Sequence, residues 1–143
     1  MYDDILFPTD GSDSSVAVAD HAAEIAAGRD ATVHVLSVVD DRAFITLADD
    51  LQDQLRTELE TEAEAATNAA REVLASRDIE TTTTIREGDP ADEILAFVEE
   101  QGIDLVTMGT HGANYRQNMV GSVSARVVAE SDVPVLTVRV EED

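Results

Sequence analysis

The stretch Leu105–Ala129, LVTMGTHGANYRQNMVGSVSARVVA, contains no Asp or Glu, although the chain of 143 residues carries 31 acids. At that average frequency roughly five acids would stand in these 25 residues. The stretch opens with an apolar run, turns at Gly109 and Gly112, and reaches Gly121 and Ser122 before a segment with helical spacing. A strand that ends in a glycine-rich turn and leads into a helix directs several backbone N–H groups at one point. The stretch therefore predicts a strand, a turn and a helix that together tolerate an anion such as phosphate.

These glycines have a second interpretation. Gly109 and Gly112 would serve only as turn residues, and Gly121 with Ser122 would serve only as a helix start. A glycine turn before a helix is a weak signal when it stands alone, so the pattern by itself leaves both interpretations open.

Outside this stretch, short apolar runs alternate with amphipathic segments along the whole chain. The predicted strands are Ile5–Phe7, Ala31–Val39, Ile79–Ile85, Ile103–Met108 and Pro134–Val140, of which the third is rich in threonine and peripheral. The predicted helices run from Ser12 or Asp13 to Ala27, from Leu51 to Leu74, from the N-cap Asp89 to Gly102, and from Ser122 to Glu130. This alternation predicts a single α/β domain over residues 1–143, a doubly wound parallel sheet of five strands with four helices on its two faces.

A sheet of this kind has a preferred place for a ligand. Doubly wound sheets bind ligands beyond the carboxyl ends of their strands, at the point where the strand order reverses. Asp10 comes directly after the first predicted strand, and Gly109 comes directly after the fourth. We therefore expect both residues at that edge of the sheet.

The charge balance restricts the partners of the protein. The formal net charge is -22, the isoelectric point is near 4.1, and all nine basic residues are arginine. An acidic surface repels nucleic acid and anionic membranes, so neither is expected as a partner. Acid excess without lysine leads to the hypothesis of a halophilic protein, because multimolar salt screens the repulsion between carboxylates. Met1–Ile5 lacks the features of a signal peptide and no apolar run reaches membrane-spanning length, so we expect a cytoplasmic protein.

The residue types also restrict the chemistry. The chain has no cysteine, which excludes disulfides and thiolate nucleophiles, and no lysine, which excludes the phosphate-binding loop that ends in Lys-Ser or Lys-Thr. Asp10, His111 and Ser122 are the residue types of a hydrolytic triad, but no nucleophile elbow surrounds Ser122. We therefore expect no enzyme and no catalytic or metal-ligating residue.

Several separated motifs resemble those of the universal stress protein family. They are Ile5–Ser12 (ILFPTDGS), Gly88–Pro90 (GDP), Asp104–Gly112 (DLVTMGTHG) followed by Gly121–Val123 (GSV), and Val133–Val138 (VPVLTV). The motifs stand in the right order and span the chain, so the likeness is more specific than one glycine pattern. The resemblance implies the strand order 3-2-1-4-5 and a stress-response regulatory protein that binds ATP or AMP without a demanding chemical step.

The resemblance also implies roles for particular residues. Asp10 would hydrogen-bond the ribose, and Pro8, Thr9 and Val38 would border the adenine. The phosphates would be held by Gly109, Gly112, Gly121, Ser122 and Val123, with Ser124 at the terminal phosphate. Mg or Mn would accompany the nucleotide, because ATP approaching a protein of charge -22 needs neutralisation. Family members commonly dimerise through the last strand, which implies a homodimer through Val135 to Val140, and an apolar edge strand agrees with such pairing.

The loop between the glycines departs from the family pattern. Nucleotide-binding members usually place one more residue between the second and third glycines than the eight that Ala113–Val120 supplies. The N–H groups of such a loop have to converge on the phosphates, so a missing residue would displace Gly121 and Ser122 from them. The alternative function is therefore a nucleotide-free dimeric adaptor or interaction protein.

Overall fold

A computed structural model describes residues 2–10, 13–111 and 120–140 of the chain. Strands and helices alternate along these residues. The strands are β1 (Asp4–Pro8), β2 (Thr32–Asp40), β3 (Glu80–Gly88), β4 (Leu105–His111) and β5 (Val135–Val140). The helices are α1 (Asp13–Ala26), α2 (Asp49–Ala75), α3 (Pro90–Gln101) and α4 (Val120–Glu130), and a short 3-10 turn, Asp41–Ala43, follows β2.

The five strands form one parallel sheet in the order β3-β2-β1-β4-β5. β1 lies in the centre, where Pro8 pairs with Leu36 of β2 on one side and Ile5 pairs with Leu105 of β4 on the other. The chain winds outward to β3, crosses to the other side of β1 and winds outward again to β5, which places helices on both faces. The predicted fold class and strand order are confirmed.

Two apolar cores, mostly aliphatic, cover the faces of the sheet. On one face Ile5 of β1 and Val33 of β2 pack with α1 and α2. On the other face Leu6 and Leu36 pack with α3 and α4. Consecutive residues of a strand point to opposite faces, so a central strand buried on both sides needs the continuous apolar run that the sequence contains.

Two strands end three residues later than predicted. β3 reaches Gly88 rather than Ile85, because it pairs with β2 along its whole length. β4 reaches His111 rather than Met108, because it pairs with β5 over the residues beyond Met108. In both cases the neighbouring strand extends the element, and the local sequence pattern contains no information about that neighbour.

Helix α3 begins and ends at the predicted residues. Asp89 is its N-cap, and the carboxylate accepts a hydrogen bond from the Asp92 N–H at 3.1 Å. Gly102 ends the helix in the left-handed conformation, with φ of 62°. Within the described ranges, no helix combines the length and the apolar character that crossing a membrane requires.

Candidate functional site

The central strands β1 and β4 are paired over a short length. In the described part of the chain, their register joins Ile5 to Leu105 and Leu6 to Val106, whereas all five residues of β1 pair with β2. The next residue of β4, Thr107, is fully buried, and its hydroxyl donates to the Leu6 carbonyl oxygen at 3.3 Å. The order of the strands reverses at this seam, so its carboxyl end is where a doubly wound sheet opens a crevice.

The end of β1 carries three of the predicted site residues. Thr9 is nearly buried, and its N–H donates to the Leu36 carbonyl oxygen at 2.9 Å. This hydrogen bond holds the chain against β2 one residue beyond Pro8, where β1 ends. Asp10 follows and is exposed. The structure thus places Asp10 at the carboxyl edge of the sheet.

Val38 lies on β2, beyond the end of β1. Pro8 pairs with Leu36, so Val38 is two residues farther toward the carboxyl edge and points to the same face of the sheet as Leu36. The Val38 side chain is half-buried and packs against the core under α3 and α4. Asp10 and Val38 therefore border the same end of the β1–β2 pair.

Gly109, Gly121 and Ser122 lie on β4 and α4. Gly109 is half-buried within β4 and pairs with Val138 of β5. α4 spans Val120–Glu130, so it includes two residues before the predicted start near Ser122, and Gly121 and Ser122 belong to its first turn. A single glycine costs only about 1 kcal/mol in a helix, which tertiary packing of the following residues overcomes.

The first turn of α4 presents one exposed hydroxyl. Ser122 is exposed, whereas Val123 and Ser124 are 9% and 2% exposed. Val123 packs in the same core as Leu6 and Leu36. The N–H groups of a first helical turn have no acceptor within the helix. They point out of the N-terminus of α4, toward the carboxyl edge of the sheet where β4 ends. Gly112, the remaining predicted site residue, lies outside the described residues.

Sequence reasoning misses a cluster of charges at this edge. Asp89 accepts a hydrogen bond from Arg126 Nη1 of α4 at 3.1 Å, and its other oxygen lies 3.6 Å from Arg42 Nη1. Arg42, which follows β2, also donates to both carboxylate oxygens of Asp40, at 2.9 and 2.7 Å. Arg126 further binds Asp92 and, at 2.8 Å, Glu130. The charge cluster therefore links the β2–α2 connection, α3 and α4.

The ion pairs change the protonation of their members. The side-chain hydrogen bond from Arg42 lowers the pKa of Asp40 below its ordinary value, and the same bond raises the pKa of Arg42. Hydrogen bonds to Glu130 and Asp92 raise the pKa of Arg126. Both arginines therefore carry their charge at every pH at which the protein folds.

A sequence signal for Arg126 exists. This arginine stands inside the acid-free stretch Leu105–Ala129, where few carboxylates are available nearby in the chain. Its partners Asp89 and Asp92 come from another helix, more than thirty residues earlier. An arginine in an acid-free segment of an acidic protein is therefore worth testing for contacts with other elements.

Comparison with known proteins points to one family. The model of the Universal stress protein family matches residues 1–139. Universal stress protein MJ0531 of Methanocaldococcus jannaschii is 36% identical over 141 residues, which cover 97% of this chain and 83% of that protein. These matches extend over nearly the whole chain.

Solved structures share the fold. Protein MJ0577 of the same archaeon superposes with a TM-score of 0.86 at 29% identity, over 97% of this chain and 96% of that chain. A universal stress protein solved in complex with cAMP superposes with a TM-score of 0.74 at 25% identity, over 96% and 97% of the two chains. With the strand order and the family match, these findings give one conclusion: the chain belongs to the universal stress protein family.

Proposed function

We propose that the protein is a stress-response regulatory protein that binds an adenine nucleotide, ATP or AMP, at the carboxyl edge of its sheet. The placement of α4 carries the proposal. α4 follows β4, so its first turn, with the exposed Ser122, lies at the same edge as Asp10 but across the seam from it. A helix N-terminus attracts phosphate, and a carboxylate beyond a neighbouring strand suits ribose hydroxyls.

The proposed residue roles follow the two sides of the site, one at the end of β1 and β2 and the other at β4 and the first turn of α4. Asp10 binds the ribose, while Pro8, Thr9 and Val38 border the adenine. Gly109, Gly112, Gly121, Ser122 and Val123 hold the phosphates. The resemblance implies Ser124 for the terminal phosphate, but Ser124 is buried and Ser122 is exposed, so Ser122 is the hydroxyl better placed for that role. The cAMP complex of a relative at 25% identity supports an adenine nucleotide as the ligand class.

We propose that Mg or Mn enters with the nucleotide. Among the described residues, no three His, Asp or Glu side chains converge to hold a metal ion. A protein of charge -22 repels a bare ATP tetra-anion, and a divalent ion bound by the phosphates reduces that repulsion. Arg126 lies one helical turn beyond Ser122 on the same face of α4, but Asp89, Asp92 and Glu130 already neutralise it, so the charge of the phosphates is left to the metal ion.

The proposed site binds a nucleotide without a demanding reaction. Its parts are backbone N–H groups, a hydroxyl, a ribose-binding carboxylate and an apolar wall. Such groups hold and orient a ligand, whereas fast phosphoryl transfer needs a positioned base or water-orienting residue as well. Regulation through the bound and empty states is therefore the proposed activity, with at most slow hydrolysis of ATP.

We propose that the protein forms a homodimer through β5. This strand lies at the edge of the sheet, and its ladder with β4 includes a hydrogen bond from the Val106 N–H to the Pro134 carbonyl oxygen at 3.0 Å. In a parallel ladder of this register, the N–H groups of Val135, Thr137 and Arg139 point away from β4. An edge with such groups is a template for pairing, which a second copy of Val135 to Val140 would complete.

The excess of acidic residues is consistent with a protein that works in a cytoplasm of high salt concentration. Acids outnumber the arginines by 22, and the described salt bridges use only part of them. Many carboxylates at short distances repel one another unless salt screens them within a few ångströms. We therefore propose a halophilic, cytoplasmic protein.

A second candidate function rests on the loop before α4. The eight residues Ala113–Val120 are one fewer than nucleotide-binding relatives usually have between these glycines. If the shorter loop displaces the phosphate-binding N–H groups, the protein acts as a nucleotide-free dimeric adaptor or interaction protein instead.

Calorimetric titration distinguishes the two functions. ATP with Mg, and separately AMP, is titrated into the protein in multimolar KCl. We expect binding to the wild type, its loss in Gly112→Val and a weaker affinity in Ser122→Ala. Ser76→Ala is the matched control, because Ser76 follows α2 at the opposite edge of the sheet and its hydroxyl donates only to a local carbonyl, at 2.7 Å.

Two results would contradict the nucleotide proposal. Absence of binding by both nucleotides would favour the adaptor. Unchanged binding in Gly112→Val and Ser122→Ala would show that a nucleotide binds elsewhere on the protein.

A further inference from the structure

An aliphatic groove lies where the connection after β2 meets the start of α2. It has a volume of about 190 Å³ and is lined by Leu47, Leu51, Gln54, Leu55 and Glu58. Leu51 is 50% exposed and Leu47 37%, and the neighbouring Ile45 is 59% exposed. Exposed aliphatic side chains gathered in one place mark an interaction surface, whereas isolated ones are ordinary.

The groove has a fixed shape. The Gln52 side-chain amide donates to the carbonyl oxygens of Ile45 at 3.1 Å and Leu47 at 2.7 Å. These two bonds fasten the connection to the first turn of α2. A binding surface that is already ordered loses less conformational entropy when a partner arrives.

The groove also rests on a firm base. Phe44 is 1% exposed and packs with Val39 and Ala63. The Arg56 guanidinium lies 4.9 Å from the centre of the Phe44 ring. The buried ring holds the chain just before Ile45, so the exposed side chains project from an anchored segment.

The surface around the groove is negative. Glu58 lines the groove, Asp50 precedes it in the first turn of α2, and Glu62 lies one turn beyond Glu58 on the same face of the helix. Arg56, in the same part of α2, is bound by Glu87 at 2.9 Å and so adds no free positive charge to the groove. An aliphatic surface bordered by carboxylates fits a partner that combines aliphatic and basic side chains.

A second copy of the chain fits the groove poorly. A two-fold contact centred on the groove would bring the Glu58 carboxylates of the two copies close together, where like charges repel. The groove also lies beside β2 and β3, whereas β5 is at the opposite edge of the sheet. Dimerisation through β5 therefore leaves the groove open.

We propose that the groove docks a segment of another protein that presents two or three aliphatic side chains flanked by arginine or lysine. The aliphatic side chains would fill the space beside Leu47 and Leu51, and the basic flank would meet Glu58 and Glu62. An amphipathic helix supplies this arrangement at its i, i+3, i+4 and i+7 positions. The proposal uses no residue of the nucleotide site and stands whether or not that site binds.

The test uses the full chain and two synthetic helical peptides of equal length. Both carry leucine at i, i+3, i+4 and i+7, and their flanking positions are arginine in one peptide and glutamate in the other. Binding is followed by the fluorescence anisotropy of the labelled peptide, at the lowest KCl concentration at which circular dichroism shows the protein folded, because molar salt screens the difference in charge between the peptides. We expect the arginine peptide to bind and the glutamate peptide not to bind.

Leu51→Asp tests the place of binding. We expect its affinity for the arginine peptide to fall by about tenfold or more, because it removes a central aliphatic anchor. The added carboxylate would by itself attract the arginines, so the expected loss runs against the change in charge. Asp at the third residue of a helix suits the positive N-terminus, and circular dichroism checks that the variant folds.

Two further variants complete the test. Val128→Asp is the matched control, because Val128 is 51% exposed, lies on α4, and gains the same charge away from the groove. Its affinity should stay that of the wild type. Gln52→Ala keeps the leucines but removes the hydrogen bonds to the Ile45 and Leu47 carbonyl oxygens that hold the connection to α2. The affinity of this variant for the arginine peptide should therefore fall as well.

Four outcomes would overturn the proposal. They are no binding of the arginine peptide, equal binding of both peptides, equal affinities in Leu51→Asp and Val128→Asp, and self-association of the wild type that Leu51→Asp abolishes. The last outcome would assign the groove to a second copy of the chain.

Discussion

The Asp89 carboxylate accepts a hydrogen bond from the Arg126 guanidinium at 3.1 Å, which ties the beginning of α3 to α4. The same oxygen accepts the Asp92 N–H, also at 3.1 Å, and so caps α3. One side chain thus joins two helices and stabilises the end of one of them. Asparagine retains the ability to cap but loses the charge, so substitution can separate the two roles.

We therefore expect the free energy of unfolding to decrease in the order wild type, Asp89→Asn, Asp89→Ala. Asn removes only the attraction for Arg126 and Arg42, and Ala removes the helix cap as well, which adds a loss of about 1 kcal/mol. Denaturant titration at several KCl concentrations measures both steps. The loss of unfolding free energy from wild type to Asp89→Asn should shrink as salt rises, while the loss from Asp89→Asn to Asp89→Ala should stay constant. If the first loss did not depend on salt, an ionic role for Asp89 would be contradicted.

The stability that Asp40 contributes depends on pH. The pKa of Asp40 is lowered in the folded protein, so its ion pair with Arg42 contributes above the unfolded pKa and is lost as pH falls through the folded pKa. The difference in unfolding free energy between wild type and Asp40→Asn should be constant near pH 7, begin to decrease as pH approaches 3.8, the ordinary pKa, and vanish only below the lowered pKa of the folded protein. Asn keeps the hydrogen bond with the Arg42 N–H, which isolates the charge. A difference that stays constant from pH 7 down to the acid limit of folding would contradict this.

Gly88→Ala should destabilise the protein. Gly88 has φ of 150°, a conformation that costs other residues roughly 1–3 kcal/mol, and a Cβ there would lie 2.8 Å from Glu93 Oε2. Denaturant midpoints measure the loss, and the same substitution in a Glu93→Ala background isolates the part due to the backbone. Gly28→Ala is a milder control, because nothing lies within 4 Å of a Cβ at Gly28. Equal losses at both positions would contradict a special role for Gly88.

Thr137→Pro should convert the proposed dimer to a monomer that remains folded. The Thr137 N–H points away from β4, so proline removes a donor from the free edge and leaves the ladder within the sheet intact. Leu136→Pro removes a donor to β4 instead and should destabilise the fold. Sedimentation measures the oligomer and circular dichroism the fold. A dimer that survives in Thr137→Pro would place the interface elsewhere.

Lowering KCl should loosen or unfold the protein. The formal charge is -22, and repulsion among the carboxylates acts over about 30 Å at 0.01 M salt but only about 3 Å at 1 M. Circular dichroism during dilution from multimolar KCl follows the transition. Sucrose at matched osmotic strength controls for general stabilisation, and full cooperative stability in dilute buffer would contradict a halophilic protein.

The fold was predictable because its signals are local. The apolar runs Ile5–Phe7 and Ala31–Val39, separated by a capped helical segment, indicate buried parallel strands without knowledge of other elements. The order of the strands came from family resemblance, since spacing alone does not say on which side of β1 a strand is added. The ends of β3 and β4 were misjudged because pairing with a neighbour decides them.

The edge of the sheet was predictable and the contacts at it were not. Asp10 follows β1, so topology places it, whereas Gly109 lies within β4 and not beyond it, because pairing with β5 extends that strand to His111. The bond between Arg126 and Asp89 joins residues 37 apart in sequence, and nothing local predicts it. The aliphatic groove was not predictable for the same reason: helical spacing puts Leu51 and Leu55 on one face of α2 but does not say what covers that face, and Leu51 is 50% exposed.

The short ladder between β1 and β4 has a mechanical consequence. Backbone pairing divides the sheet into two parts, one of three strands (β3, β2 and β1) and one of two strands (β4 and β5). The two parts are joined near their amino ends through Ile5 and Leu6 and, just beyond, by the hydrogen bond of the Thr107 hydroxyl. The carboxyl ends of the two parts border the crevice in which we propose that the nucleotide binds. A ligand that contacts both Asp10 and the first turn of α4 would therefore hold together two parts of the sheet whose own backbone hydrogen bonds join them only near their amino ends.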